Sequence, residues 1–364
     1  MKFKKITACL DMLGCPNRCK HCWLNCTPNG NLKIEDLEYV AKQFRPFSVD
    51  FEIYDWYREP DYHTNYQEMW EICQHLSTEH TPHFELISFW RLVRDPYYVK
   101  WLSSLHLKTA QLTLFGDEQA TDFYVGRKGA YQEILKSIDI LLENGICPRI
   151  QVFITKKNIQ QLSSIEHLIT QLDLEKRCQQ IGRPFSFFIH QGSCEGENEK
   201  FYKDWITPDD LTKIPKTLAQ FTLNYFGKAN LMDVFGQTEQ NLYKELINDY
   251  TTQNSVSDTP VFYIDKDFNV YPNLSCPTSF WCLGNLKKDG CEQIIHRYVN
   301  HGSIAQHILS TTPTHEMIKT CGHPNSQRLF PKDDYRLFIL NQYCKTLPPM
   351  ASFHSLCTPS FYLL

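Results

Sequence analysis

Gly14-Cys15-Pro16-Asn17-Arg18-Cys19-Lys20-His21-Cys22-Trp23 is the stretch from which the rest of the chain is read. Its spacing is CxxxCxxC. Three soft thiolates on one short loop suit three irons of a 4Fe–4S cube. The fourth iron is then left without a protein ligand, and an open metal position is where chemistry takes place, whereas a closed one is structural. Cys26 extends the run to CxxxCxxCxxxC, so a four-cysteine zinc knuckle is the competing reading. Zinc knuckles more often use two CxxC pairs with a longer spacer, which makes Cys26 a bystander.

The loop follows an apolar run at residues 3–10. Further short apolar, β-branched or aromatic runs lie at 49–56, 83–89, 109–115, 147–155 and 184–190. Helical patterns separate them. The clearest spans 131–144, with Ile134, Leu135, Ile138, Leu141 and Leu142 on one face and Gly145 as its stop. Strand–helix alternation specifies a parallel sheet with right-handed crossovers. The expected fold class is therefore α/β, a partial (β/α)6 TIM-like barrel with the cysteine loop at its C-terminal mouth.

From about Asp209 the pattern changes. Residues 210–221 and 239–250 read as helices without strands between them, 251–260 as a polar linker, 261–272 as a hairpin and 333–345 as a helix. The expected organisation is a barrel over 1–200, a helical connection over 201–260 and a smaller α+β C-terminal extension over 261–364.

The 364 residues, 42% hydrophobic and 13% aromatic, describe a globular chain with room for a large core. A net charge of −4 without a long basic run argues against a nucleic-acid partner. No apolar run reaches about 18 residues, so no membrane span is expected. Fifteen cysteines without an export signal suggest cytoplasmic thiols and an iron–sulfur site rather than a disulfide framework.

The cysteine loop resembles the signature of the radical S-adenosylmethionine (radical SAM) superfamily. The resemblance implies that Cys15, Cys19 and Cys22 ligate the cluster and that SAM chelates the open iron. Reductive cleavage of SAM then gives a 5′-deoxyadenosyl radical that removes hydrogen from a substrate. His21 takes the place of the family's aromatic residue beside adenine. Glu59-Pro60 matches the end of the family's Gly-Gly-Glu-Pro, with Tyr57-Arg58 in place of the glycines. Thr113 matches a strand serine that bonds SAM. Arg127, in a segment with Asp122 and Gly129, is placed to pair with the SAM carboxylate, although a solvated surface arginine is the competing reading.

Strand alternation adds more candidates. Ile150, Val152 and Ile154 would pack outward, turning Arg149 and Gln151 into the barrel. A charge there needs a partner: the SAM carboxylate, an acidic substrate group, Glu52, or a purely structural ion pair. Glu52, Tyr54 and Glu85 are pocket candidates. His190 and Cys194 lie in the segment ending the sixth run. Cys194 could donate hydrogen to a substrate radical, as radical epimerases use a thiol, but a lone loop cysteine is more often idle.

Residues 261–290, with Cys276, Cys282 and Leu283-Gly284-Asn285-Leu286, resemble the opening of a SPASM or twitch extension in degenerate form. The later hallmark, CxxCxxxxxCxxxC, is missing, and Cys291, Cys321, Cys344 and Cys357 are scattered, so a single 4Fe–4S cluster is expected. The cluster loop begins so early that a leader-binding domain ahead of the barrel is not expected. The function expected is hydrogen abstraction from an unactivated carbon, with a peptide or protein as substrate. Oxidation or epimerisation of a small sugar or polyol is the alternative. A non-enzymatic zinc or iron–sulfur module is the alternative of another class. Expected partners are the substrate and an electron donor such as flavodoxin or ferredoxin.

Overall fold

A computed structural model describes residues 2–11, 15–22, 32–54, 63–79, 86–272 and 277–348. The strands are β1 (Phe3–Leu10), β2 (Ser48–Tyr54), β3 (Thr109–Leu114), β4 (Cys147–Phe153), β5 (Ser186–His190), β6 (Gln237–Thr238), β7 (Val261–Ile264), β8 (Asn269–Tyr271), β9 (Gly284–Asn285) and β10 (Leu329–Phe330).

β3, β4 and β5 form one parallel sheet, and β1 pairs in parallel with β2. The strand–helix alternation read from the sequence is present, as a partial, unclosed barrel with a largely helical C-terminal part. The run expected at 83–89 differs. Residues 83–85 lie outside the described residues, and Leu86 makes only an isolated parallel bridge to Gln111. Ser88 then accepts a hydrogen bond from the Arg91 N–H and caps a helix, Phe89–Arg94, which cuts the apolar run short.

β7 lies against the other edge of β1, in parallel, with Thr7 opposite Val261 and Leu10 opposite Ile264. β8 and β9 continue that sheet antiparallel. The hairpin read at 261–272 thus shares a sheet with the first strand of the chain.

The helix expected at 210–221 is two helices, Pro208–Leu211 and Lys216–Phe226, with Pro215 at the break. Proline has no N–H to donate and is not tolerated in a helix interior. The region read as strand-free also holds β6, paired antiparallel with β10.

Two apolar layers back the sheets. Ala110, Leu112, Leu114, Ile150, Val152, Phe187 and Ile189 pack against Ile134, Ile138 and Leu141 of the helix Ala130–Glu143. Ile6, Ala8, Leu10, Phe51, Ile53, Phe262 and Ile264 pack against Leu37, Val40 and Phe44 of the helix Ile34–Phe44. Each such buried Leu, Ile, Val or Phe side chain contributes roughly 1.5–3 kcal/mol. A third apolar cluster, around Trp205, Trp281, Tyr335 and Phe338, belongs mostly to the C-terminal part.

Candidate functional site

Strand parity decides what lines the barrel. The apolar residues above face the helices, so the alternate positions turn to the other face. These are Lys5, Thr7 and Cys9 on β1, Glu52 and Tyr54 on β2, and Tyr263 on β7. On the other sheet they are Gln111 and Thr113, Arg149, Gln151 and Phe153, and Phe188 and His190.

These polar groups engage one another. Lys5 pairs with buried Glu52 at 3.0 Å and with Glu79 at 2.7 Å. Arg149 donates to Gln111 Oε1 at 2.9 Å, and its guanidinium lies about 6 Å from the Phe188 and Tyr225 rings. Thr113 stands opposite Gln151 in the ladder, and the Gln151 amide meets His190 Nε2. Burial, then the charges of Cys9 and Glu52, push the Tyr54 phenol up.

The segment 15–22 is held at the end of this lining by backbone hydrogen bonds. The Arg18 N–H donates to Val125 O at 3.0 Å and the Lys20 N–H to Tyr124 O at 2.8 Å. On its far side the Glu197 N–H donates to Cys22 O at 2.8 Å. The Arg18 guanidinium closes back on Cys15 O and Asn17 O. Gly126 permits the approach: its φ is +71°, and a Cβ there would stand 2.4 Å from Arg18 O.

Cys15, Cys19 and Cys22 are all half-buried. Cys19 turns inward onto Phe115, Tyr124, Val125 and Phe153. Three thiols within eight residues are the soft donor set an iron–sulfur centre takes. Among the described residues no three His, Cys, Asp or Glu side chains are grouped to hold an ion.

His21 enters the interior, its ring centroid 4.7 Å from both Phe115 and Phe153. Asn158 braces that platform by donating to Phe115 O and Phe153 O at 2.9 and 2.8 Å. His21 Nδ1 is buried and has no hydrogen-bond partner among the described residues. Burial, and secondarily His190, lower the His21 pKa to about 3, while burial lowers that of His190 to about 4. Both imidazoles are neutral at physiological pH.

Residues 10–171 match the sequence profile of the Radical SAM superfamily. The chain carries a radical SAM domain. On that domain it is classed as a radical SAM enzyme. Two solved structures of anSMEcpe share the fold, one with bound AdoMet and Kp18Cys peptide and one with bound AdoMet and Cp18Cys peptide. Each is 13% identical and aligns over 94% of this chain and 97% of its own, with TM-scores of 0.51 and 0.50. Comparison with curated protein sequences returns no match.

The structure brings together His21, Thr113, Gln151 and His190 on one side of the lining and Glu52 and Tyr54 on the other. Arg127 is engaged at the cysteine loop of the radical SAM domain: its Nε donates to Asn17 Oδ1 at 2.9 Å and its Nη2 to Glu133 Oε2 at 2.6 Å. Cys194 is buried among Trp205, Tyr263 and Tyr335, and burial, with Glu199, Glu239 and Glu195, pushes its thiol up. Glu59, Glu85 and Cys26 lie outside the described residues.

The sequence reading passed over Asp11, Asn17 and Asn158. Asn17 stood inside the motif, but nothing local to it names Arg127 as its partner. Cys291 and Cys344 sit in different apolar clusters, their thiols each pushed up to about 12, chiefly by burial. Cys282 departs from the all-thiol expectation, being disulfide-bonded. Among the described residues no helix is long and apolar enough to cross a membrane.

Proposed function

We propose that Cys15, Cys19 and Cys22 hold one 4Fe–4S cluster, that SAM binds at its open iron, and that the enzyme abstracts hydrogen from an unactivated carbon of a peptide or protein. When bound, the cluster and SAM together supply a 5′-deoxyadenosyl radical. The observation that carries this reading is the three-thiol loop, tied down at Arg18, Lys20 and Cys22 beside the β3 and β4 ends of the radical SAM domain.

The chain's own residues divide the work. Tyr124, Val125 and Glu197 fix the loop backbone, so the thiols present at a set depth. His21, neutral and seated on Phe115 and Phe153, keeps Nδ1 available to a nucleobase edge. Thr113, Gln151 and Arg149 are the lining groups for SAM, with Glu59 beside them in sequence-motif terms. Arg127 acts on SAM through Asn17 and the loop as well as by charge. Glu52, Tyr54, His190 and Cys194 are the substrate-side candidates. Cys194 carries its hydrogen, since burial disfavours the thiolate. Residues 1–200, 201–260 and 261–364 serve as barrel, connection and extension, with β7 tying the last to the first.

A peptide substrate is supported by anSMEcpe, which has this fold and was solved with AdoMet and a peptide bound. The test is anaerobic reconstitution followed by iron and sulfide analysis and assay of 5′-deoxyadenosine after chemical reduction. About four irons and four sulfides per chain with 5′-deoxyadenosine formed is the expected result. A colourless zinc protein that leaves SAM intact overturns it.

A further inference from the structure

Two buried cysteines meet at the end of the sheet opposite the cysteine loop. Cys147 is the first residue of β4, and Cys178 lies in the helix Leu174–Gln180 that precedes β5. They are 31 residues apart in sequence, and their sulfurs stand 3.0 Å apart. Both thiols are free. A disulfide bond is only about 1 Å shorter than this separation. β4 runs seven residues to Phe153, which puts the sulfurs roughly 20 Å from the strand end beside the cysteine loop.

The surroundings give the two sulfurs different characters. In the dithiol the Cys147 S–H donates to Cys178 Sγ, and Pro184 O lies 3.4 Å from Cys147 Sγ as a second acceptor. When Cys147 gives up its proton the bond reverses, and the Cys178 S–H donates to the thiolate. That donation, and after it the Arg183 charge, hold the Cys147 pKa below the ordinary thiol value in spite of burial. The same bond, and then burial, push the Cys178 thiol up. One sulfur is thus suited to attack and its neighbour to resolve. The pair is buried but shallow. Gln179, Gln180, Gly182 and Pro184, which follow Cys178, are exposed, as are Glu143, Asn144 and Gly145 shortly before Cys147. Gly182 has φ of +75° and nothing within 4 Å of where a Cβ would stand, so the turn over the sulfurs is unpacked on its outer side. A cover one turn thick admits a small molecule by local opening.

We propose that Cys147 and Cys178 are a reversible dithiol–disulfide pair that exchanges with a low-molecular-weight disulfide and, once oxidised, staples β4 to the helix Leu174–Gln180 at the base of the sheet. The Cys147 thiolate attacks one sulfur of the small disulfide, breaks its S–S bond and releases one half as a thiolate. Cys178 loses its proton, attacks the Cys147 sulfur and expels the second half. The two protein thiols give up two electrons and two protons. The small disulfide takes both electrons, and the protons pass through water to the two thiols it becomes. The closed loop removes freedom from the unfolded chain. The barrel lining and the cysteine loop, at the other end of the strands, are untouched.

The test incubates the whole chain, reconstituted anaerobically, with hydroxyethyl disulfide. Remaining thiols are alkylated, and the peptides are mapped by mass spectrometry with fragmentation to assign the sulfurs. The expected result is a Cys147–Cys178 link, lighter by two hydrogens, that dithiothreitol returns to two alkylatable thiols. The urea midpoint of the oxidised wild type should rise by about 0.5 M or more over the reduced protein. Cys178→Ser, treated in the same way, should show no such rise. The peptide map of the wild type stands whether or not that variant folds. Absence of the link overturns the assignment, as does pairing of either sulfur with another cysteine or a lasting mixed disulfide on Cys147. A link formed without a rise in midpoint overturns the staple.

Discussion

The Tyr263 hydroxyl donates a 2.6 Å hydrogen bond to Asp11 Oδ2, across 252 residues of sequence. Asp11 is buried and closes β1, four residues before Cys15; its own N–H donates to Ile264 O at 2.9 Å. The late hairpin therefore grips the chain where it leaves the sheet for the cysteine loop. Tyr263→Phe removes a charge-assisted bond to a buried carboxylate and should cost about 1.5–3 kcal/mol of stability. Urea denaturation of the anaerobic enzyme measures it. Wild-type stability in the variant would mean that other groups suffice to hold Asp11.

Cys15→Ala, Cys19→Ala and Cys22→Ala should each abolish SAM cleavage and bring iron well below wild type, because two thiolates do not hold a cube tightly. Cys26→Ala should keep both. Iron retained with full cleavage in Cys19→Ala would remove that thiol from the cluster. Iron lost in Cys26→Ala would favour the four-cysteine site.

Gly126→Ala tests the seat of the loop. The substitution forces a Cβ against Arg18 O from a left-handed backbone, at a cost of at least 1–2 kcal/mol. The Arg18–Val125 bond should be lost first, so iron uptake should fall more than overall helicity. Iron analysis beside far-ultraviolet circular dichroism reads the two separately.

Arg127→Ala removes the bonds to Asn17 and Glu133 together. A SAM dissociation constant raised about 10- to 100-fold is expected. Arg127→Lys should recover little of it, since an ammonium does not reproduce two fixed guanidinium contacts. An unchanged constant in the alanine variant would leave Arg127 with a scaffold role only.

His21 and His190 make the fold acid-sensitive. Their pKa values are depressed in the folded chain, so between about 6.5 and 4 the unfolded chain binds more protons. The stability they contribute is present above pH 6.5 and is lost as pH falls, by about 2 kcal/mol per histidine at pH 5. Thermal melts of wild type and His190→Gln from pH 7 to 5 should show the variant losing less. Parallel curves would place His190 in contact with bulk water.

Much of this was legible from local pattern. The alternation in 109–114 announced which face of β3 carries Gln111 and Thr113. The cysteine spacing announced the loop, and the strand before it gave its position. What local pattern did not carry was partnership. Arg127 advertises a charge, but its bond to Asn17 exists only once the loop lies against the helix end. Residues 83–89 read as a strand because the run is apolar, yet Ser88 offers a side-chain acceptor that starts a helix one residue later. Residues 261–264 read as a strand of a separate extension. Their place beside β1 depends on an edge formed hundreds of residues earlier, which no window of sequence encodes.

That placement bears on how the protein is made. β1 is flanked by β2, which leaves the ribosome early, and by β7, whose first residue is Val261. At 5–20 residues per second, roughly 10–50 s separate synthesis of the two ends of this pairing. Throughout that interval one edge of β1 has no strand to cover it, and Asp11 lacks the tyrosine that grips it. Metal loading is thereby biased toward the finished chain, and a ribosome stalled before Val261 leaves an open sheet edge of the kind that recruits other chains.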